Sequence, residues 1–377
     1  MVRRLIGMMA LAALATAAMA GPAAAQRVDG QRVDGKRTES SISAAGQAKV
    51  AALARGFMRA RGIKGMSIGI GANGKLLLAT GFGEARPGLP SGKDTVYPIG
   101  DITQQLTAAA LLWWQDRNYQ NAGPVRVNDP VNEYFFGVAH WQGMKLGHLL
   151  THTSGLPPLA DSVFFEERLY SSIKAHRILD FVKGRELDSR PGEKFRASRS
   201  NYFLITQVIE VGLRLFFHDY IQTEIYDLNG MTRSGFLGTT PLSRRAQGYA
   251  DGRPSREVNP TMFLGSADAT STVVDLIKFD RELMRGRLFS AEAKQAMFGR
   301  HVRAGEKDLW YGAGWHVRGA GARQAYFTIG RLPGFSSINK IYRNTAAGTD
   351  RYVVILTNAD GITGLEGLAD RLLAAAR

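Results

Sequence analysis

Apolar residues recur at offsets of three and four in four stretches of the chain, and each stretch reads as one face of a helix. Val50, Leu53, Ala54, Phe57 and Met58 form the first stripe, in a helix expected from about residue 43. Ile102, Leu106, Ala109, Leu112 and Trp113 form the second; no Gly or Pro follows Gly100 in that run, so a helix is expected to begin at Asp101. Leu204, Ile205, Val208, Ile209 and Leu213 or Leu215 mark a third over 201–215, and Leu365, Leu368, Ala369, Leu372 and Leu373 close the chain with the same spacing. Strand signals stand at 66–70 and 75–80, joined by Asn73-Gly74, a dipeptide suited to the positive φ angles of a tight hairpin. They return from Tyr326, at 336–342 and 352–357. Strands near both ends and helices between them predict a mixed α/β (α+β) fold: an antiparallel sheet built from about 43–100 and 246–377, flanked by the terminal helices, with a helical region inserted over about 101–245.

The first turn of the second helix carries Asp101-x-x-Gln104. By pattern this is a capping box, with the Asp carboxylate accepting a free backbone N–H and the Gln reaching back to the cap. Other chemical patterns dissolve on inspection. Gly65-Met66-Ser67-Ile68-Gly69 has the spacing of a nucleophile elbow, but the elbow needs a strand-turn-helix and this chain continues as strand. Gly69-Ile70-Gly71-Ala72-Asn73-Gly74 has dinucleotide-loop spacing without a helix behind it to receive a pyrophosphate. His148 and His152 stand one turn apart but lack the Glu of a zinc-hydrolase helix, so both are expected to be structural. No metal site and no cofactor are expected.

Composition changes the picture in two ways. Arg3-Arg4, an apolar run over 5–20 and Ala23-Ala24-Ala25 read as a secretory signal peptide over 1–25, the apolar run being short of the ~20 residues a bilayer needs. A duplicated polar pentapeptide, Gln26 to Gly30 and Gln31 to Gly35, opens a segment over 26–42 expected to be a flexible tether. The protein is therefore expected to be periplasmic or secreted, without a transmembrane anchor once the leader is cut. With no cysteine, disulfides, thiolate metal sites and thiol nucleophiles are excluded. Without Arg3 and Arg4 the 48 basic residues become 46 against 33 acidic ones, a net charge of +13 that favours weak association with anionic envelope surfaces, although it is read first as a matter of solubility and composition. The basic residues are scattered and no motif with interleaved aromatics accompanies them, so nucleic acid is not an expected partner.

Longer strings are more specific. They are Val127-Asn128-Asp129-Pro130-Val131, His148-Leu149-Leu150-Thr151-His152-Thr153-Ser154-Gly155-Leu156-Pro157, Pro191-Gly192-Glu193-Lys194-Phe195, Leu228-Asn229-Gly230-Met231-Thr232, Tyr311-Gly312-Ala313-Gly314-Trp315 and Leu332-Pro333-Gly334-Phe335-Ser336-Ser337. Over roughly 56–361 they make the chain resemble the serine β-lactamase and penicillin-binding protein superfamily, in its class C and serine-hydrolase branch. The resemblance implies the β-lactamase/transpeptidase-like fold over 43–377 and an acyl-transfer site. That site holds a Ser-x-x-Lys on the first turn of a central helix, a Tyr-x-Asn from the helical region and a Lys- or His-x-Gly on an edge strand.

Carried over by position, the family nucleophile falls on Asp101 and its Lys on Gln104. The Tyr falls on Ala197 and the Asn on Arg199; the strand motif falls on Thr328-Ile329-Gly330, with Arg331 where a Gly usually stands. A hydroxyl needs an adjacent base and oxyanion donors to attack at neutral pH, and every key side chain is replaced. Two stray Ser-x-x-Lys strings, at Ser171 and Ser337, lie away from the family position, and the second sits on a strand where residues three apart face opposite sides. Loss of one member of a cooperating catalytic unit costs on the order of 10⁶-fold in a well-studied hydrolase. The expectation is a pseudoenzyme of the cell envelope. Its pocket is lined by Asp101, Gln104, Ser198, Arg199, Thr328 and Arg331, an Asp101–Arg199 ion pair replaces the reactive groups, and the cleft holds an unidentified small molecule, peptide or protein. The competing expectation is a divergent esterase, peptidase or β-lactamase with a displaced nucleophile.

Overall fold

The computed structural model describes residues 38–117, 123, 125–286 and 288–376; the leader over 1–25 and the duplicated pentapeptide lie outside them. The chain enters through β1 (Glu39–Ser40), an edge strand whose residues pair with Ala79 and Leu78. The last part of the expected tether is thus ordered, because edge pairing needs only backbone donors and acceptors. Ser43 then caps α1 (Ala44–Arg61), accepting from the Gly46 N–H at 3.1 Å, and Gly62 at φ 65° ends it. β2 (Gly65–Ala72) and β3 (Lys75–Arg86) form the expected hairpin, with Asn73 at φ 50° and Gly74 at φ 77°.

After β4 (Leu89–Pro90) and β5 (Tyr97–Pro98) come a 3-10 turn (Gly100–Ile102) and α2 (Thr103–Arg117). The helical region continues with α3 (Leu146–Leu150), α4 (Val163–Arg168), α5 (Ala175–Lys183), α6 (Arg199–Leu213) and α7 (Phe217–Ile221). α6 stops at Leu213 because Arg214 turns left-handed at φ 54°, which leaves Leu215 outside the helix and half exposed. Short strands β6 (Gly235–Phe236), β7 (Tyr249–Ala250), β8 (Arg253–Pro254) and β9 (Ala269–Ser271) lead to α8 (Val273–Arg285) and α9 (Ala291–Phe298). β6 lies within the span expected to be helical and joins β5 and β9 in a small sheet of order β5-β9-β6.

The chain finishes with β10 (Val302–Arg303), β11 (Leu309–Tyr311), β12 (His316–Ala320), β13 (Arg323–Leu332), β14 (Phe335–Asn344), β15 (Thr349–Thr357) and α10 (Leu365–Ala375). The main sheet runs β1-β3-β2-β15-β14-β13-β12-β11-β10, every pair antiparallel. One face is covered by α1 and α10, whose Phe57, Leu368 and Leu372 share a core with Ile68, Ile70, Ile338 and Ile355. The other face packs on a larger core with α2, α6 and α8.

The alternating small residues of β2 have a packing role. A Cβ on Gly69 would stand 3.0 Å from Val273 Cβ, so glycine here lets α8 lie close against the strand. Ser67, on the same face, donates to the Gly92 carbonyl at 2.8 Å. Neither the elbow-like nor the loop-like spacing supports a reactive site. No helix among the described residues is long and apolar enough to cross a membrane.

Candidate active site

The start of α2 is held against β13 by an unusually close approach. Gly100 adopts φ 57°, and a Cβ there would lie 2.5 Å from the Arg331 nitrogen, so only glycine permits the contact. This brings Asp101 against the C-terminal end of β13, an interior strand of the main sheet, beyond the stretch that pairs with β12. Its carboxylate does not cap the helix: Arg199, on the first turn of α6, donates through Nε to Oδ1 at 2.8 Å and through Nη2 to Oδ2 at 3.1 Å. The Arg331 N–H donates to Oδ2 at 3.0 Å, and Gln104 Nε2 to Oδ1 at 3.3 Å. The capping-box reading is therefore replaced by a tertiary one, because a bidentate guanidinium outcompetes a neutral first-turn amide for a carboxylate. The helix also begins two residues later than expected, at Thr103, the intervening turn being 3-10.

Behind the ion pair lies a buried relay. Asn201 Nδ2 lies 3.0 Å from His152 Nδ1 and the Ser198 N–H 3.3 Å from it, both donating. Nδ1 is thus the acceptor, so Nε2 carries the proton and donates to Gln104 Oε1 at 3.1 Å. Tyr311 Oη donates to the same Gln104 oxygen at 3.3 Å. Burial, reinforced by His316, pushes the His152 pKa from 6.5 down to about 3, so the ring is neutral near pH 7. Burial likewise drives the Tyr202 and Tyr311 hydroxyls well above their ordinary pKa. No member of the relay is poised to take up a proton.

The expected residues separate into three groups. Asp101, Gln104 and Arg199 meet in one hydrogen-bonded cluster. Arg331 joins it through its main chain instead of its side chain: the N–H holds Asp101, the carbonyl accepts from Arg199 Nη2 at 2.7 Å, and the guanidinium is exposed. Ser198 is buried behind the cluster with its Oγ unpartnered, and Thr328 is committed to the Gly314 carbonyl at 2.7 Å. Ala197 is exposed and has no functional group to offer, and Gly330 is buried on β13. His152, Asn201, Tyr311 and Phe263, which lies 5.1 Å beneath the Arg199 guanidinium, were not expected in the site. His148 stands apart, its Nδ1 accepting from the Lys145 N–H at 3.2 Å. Among the described residues no group of three or more His, Asp or Glu side chains converges as metal ligands would.

A carboxylate offers about four lone-pair sites, and here each oxygen accepts two hydrogen bonds. All four acceptor sites of the Asp101 carboxylate are thus engaged by hydrogen bonds. The Arg331 N–H, a main-chain donor of the type that stabilises an oxyanion, points at Asp101 and is already engaged.

Comparison with known proteins accords with this architecture. The chain is 25% identical over 296 residues to PbpX of Bacillus subtilis strain 168, covering 76% of this chain and 70% of that one. It is 24% identical over 273 residues to a β-lactamase of Yersinia enterocolitica, with coverage of 69% and 66%. Among solved structures, the octameric penicillin-binding protein homologue of Pyrococcus abyssi superposes with a TM-score of 0.74 at 23% identity, over 87% of this chain and 76% of that one. The D-amino acid amidase of Ochrobactrum anthropi SV3 also gives 0.74, at 22% identity over 88% and 98%. These two structures share the fold. The Beta-lactamase family profile matches residues 50–377, and the chain belongs to that family.

Proposed function

We propose that this protein is a pseudoenzyme of the β-lactamase family, a secreted or periplasmic binding or regulatory protein that carries out no acyl transfer. The observation that carries the reading is the saturated Asp101 carboxylate at the family's nucleophile position, held by both arms of Arg199, the Arg331 N–H and Gln104. The loss extends over every motif: Gln104 has no basic nitrogen, Ala197 no hydroxyl, and Thr328 is bound to Gly314. A ligand here is held noncovalently, and the exposed guanidinium of Arg331 at the cleft edge favours one bearing a carboxylate, such as a cell-wall-type peptide. The leader-like segment over 1–25 supports the envelope assignment.

The test is incubation of the purified mature protein with a fluorophosphonate and with a fluorescent penicillin, read by intact mass. No adduct is expected with either. A stoichiometric covalent adduct would overturn the proposal, and its mapped position would name a displaced nucleophile.

A further inference from the structure

We infer that the α10 side of the sheet carries a second binding site, a groove for an anion with two or more phosphate groups. The groove is about 580 Å³ and is lined by Arg318, Arg323 and Arg351 and by no carboxylate; Arg343 borders it, but its guanidinium turns to the opposite face, where Nη1 meets Met284 of α8.

Strand register places three of these arginines on one face. Arg318 of β12 pairs with Ala325, Ala325 with Tyr342, and Tyr342 with Arg351 of β15, so these four residues form a straight row across four strands. Arg323 lies two positions from Ala325 on β13 and therefore points to the same side. Ala325 leaves a depression in the row, Tyr342 forms its floor with the hydroxyl fixed by Asp370, and Leu373 near the end of α10 closes one side. The row spans three strand spacings, about 14 Å.

The charge in this groove is mostly uncompensated. Arg318 reaches Glu306 at 3.1 Å and Glu366 at 3.4 Å. Arg323 and Arg351 make no ion pair among the described residues. Like charges on neighbouring strands repel, and a bound polyanion relieves that repulsion. Guanidinium groups match phosphate oxygens two at a time. The volume exceeds what one phosphate fills, which points to a diphosphate or longer ligand, free or presented as a lipid headgroup. The site is independent of the Asp101 cleft and does not depend on its being inactive.

Calorimetric titration of the mature protein with inorganic pyrophosphate, and co-sedimentation with vesicles of phosphatidylcholine with and without cardiolipin, whose headgroup carries two phosphates, test the assignment. The variants are Arg323→Ala/Arg351→Ala, the charge reversal Arg323→Glu, and Arg59→Ala on the exposed side of α1 as a control. Saturable binding to pyrophosphate, weakened at least tenfold in the double and reversal variants and unchanged in Arg59→Ala, supports a soluble phosphate ligand. Binding to the anionic vesicles alone, with the same dependence on Arg323 and Arg351, supports a headgroup. Absence of saturable binding in both arms overturns the proposal, as does binding that weakens equally in Arg59→Ala. Unchanged circular dichroism across the variants confirms that each reading comes from folded protein.

Discussion

Replacing Asp280 with Asn changes how stability depends on pH, by an amount the structure allows to be worked out. Asp280 of α8 is wholly buried, with Oδ1 accepting from Asn339 Nδ2 at 2.8 Å and Oδ2 unpartnered. Burial raises its pKa from 3.8 to about 8, a shift the Asn339 hydrogen bond only partly opposes. The folded pKa lies above the unfolded one. Its contribution to stability is therefore complete below the unfolded value, and is lost as pH rises towards 8. At about 1.4 kcal/mol per pH unit, roughly 4 kcal/mol is lost by pH 7. His152 and His316 run the opposite way: their depressed pKa values, about 3 and about 4, make stability fall as pH drops below 6.5. Wild-type pH dependence alone mixes these contributions, but the difference between wild type and Asp280→Asn cancels the histidines. Asn keeps an oxygen for Asn339 and cannot ionise. In urea unfolding at about pH 5 and about pH 7, the stability of the variant relative to wild type is expected to grow by 2 to 3 kcal/mol at the higher pH, on the order set by linkage. A difference that stays constant within about 0.5 kcal/mol refutes the reasoning, because a carboxyl free to titrate normally contributes no such slope.

Further expectations concern the cleft and the layers. A double-mutant cycle on Asp101→Ala and Arg199→Ala is expected to give a coupling energy of about 1–2 kcal/mol, since the pair is bidentate but about one-fifth exposed on each side; a coupling near zero would mean that the pair is ornamental. Gly100→Ala is expected to cost about 1–3 kcal/mol through its positive φ and the overlap with Arg331, seen as a lower urea midpoint. His152 ring protons in an NMR titration are expected to show no midpoint between about pH 5 and pH 8, and an inflection near the ordinary imidazole value would place the ring in water. Leu368→Ala, removing a wholly buried side chain between α10 and the sheet, is expected to cost about 2–5 kcal/mol in the same unfolding assay.

What the sequence shows of this molecule is what local chemistry determines. Asn73-Gly74 specifies a turn by its own backbone preferences, and the Val50 to Met58 stripe specifies a buried face wherever its partner lies. Asp101 behaves differently. Its neighbours in sequence make it a cap, whereas its bonding partners come from α6 and β13, and nothing local announces them. Family position brought Asp101 and Arg199 together on paper. It could not show that Arg331 would act through its peptide group, because a main-chain donor is the same for every residue type except proline. Tyr311 was visible as part of a glycine-flanked string, but its hydroxyl partner belongs to a helix distant in sequence. The polar trio Gln105, Asn339 and Asp280 was least legible: each side chain alone is typical of a surface, and only the stacking of α2, β14 and α8 buries them together.

The pairing of β2 with β15 also bears on how the molecule assembles. These strands sit side by side near the middle of the main sheet, with Ile68 opposite Ile355, while almost the whole described chain lies between them in sequence. Closing so long a loop costs conformational entropy before any of its contacts form, and topologies dominated by such contacts fold slowly. During synthesis β2 and β3 emerge long before β15, and one edge of β2 stays unpaired until β15 is made. Until then the strand is open to pairing with another chain. The sheet that positions the Asp101 cluster is thus closed only after the helical region has been made, and through that interval one edge of β2 depends on other protection against intermolecular pairing.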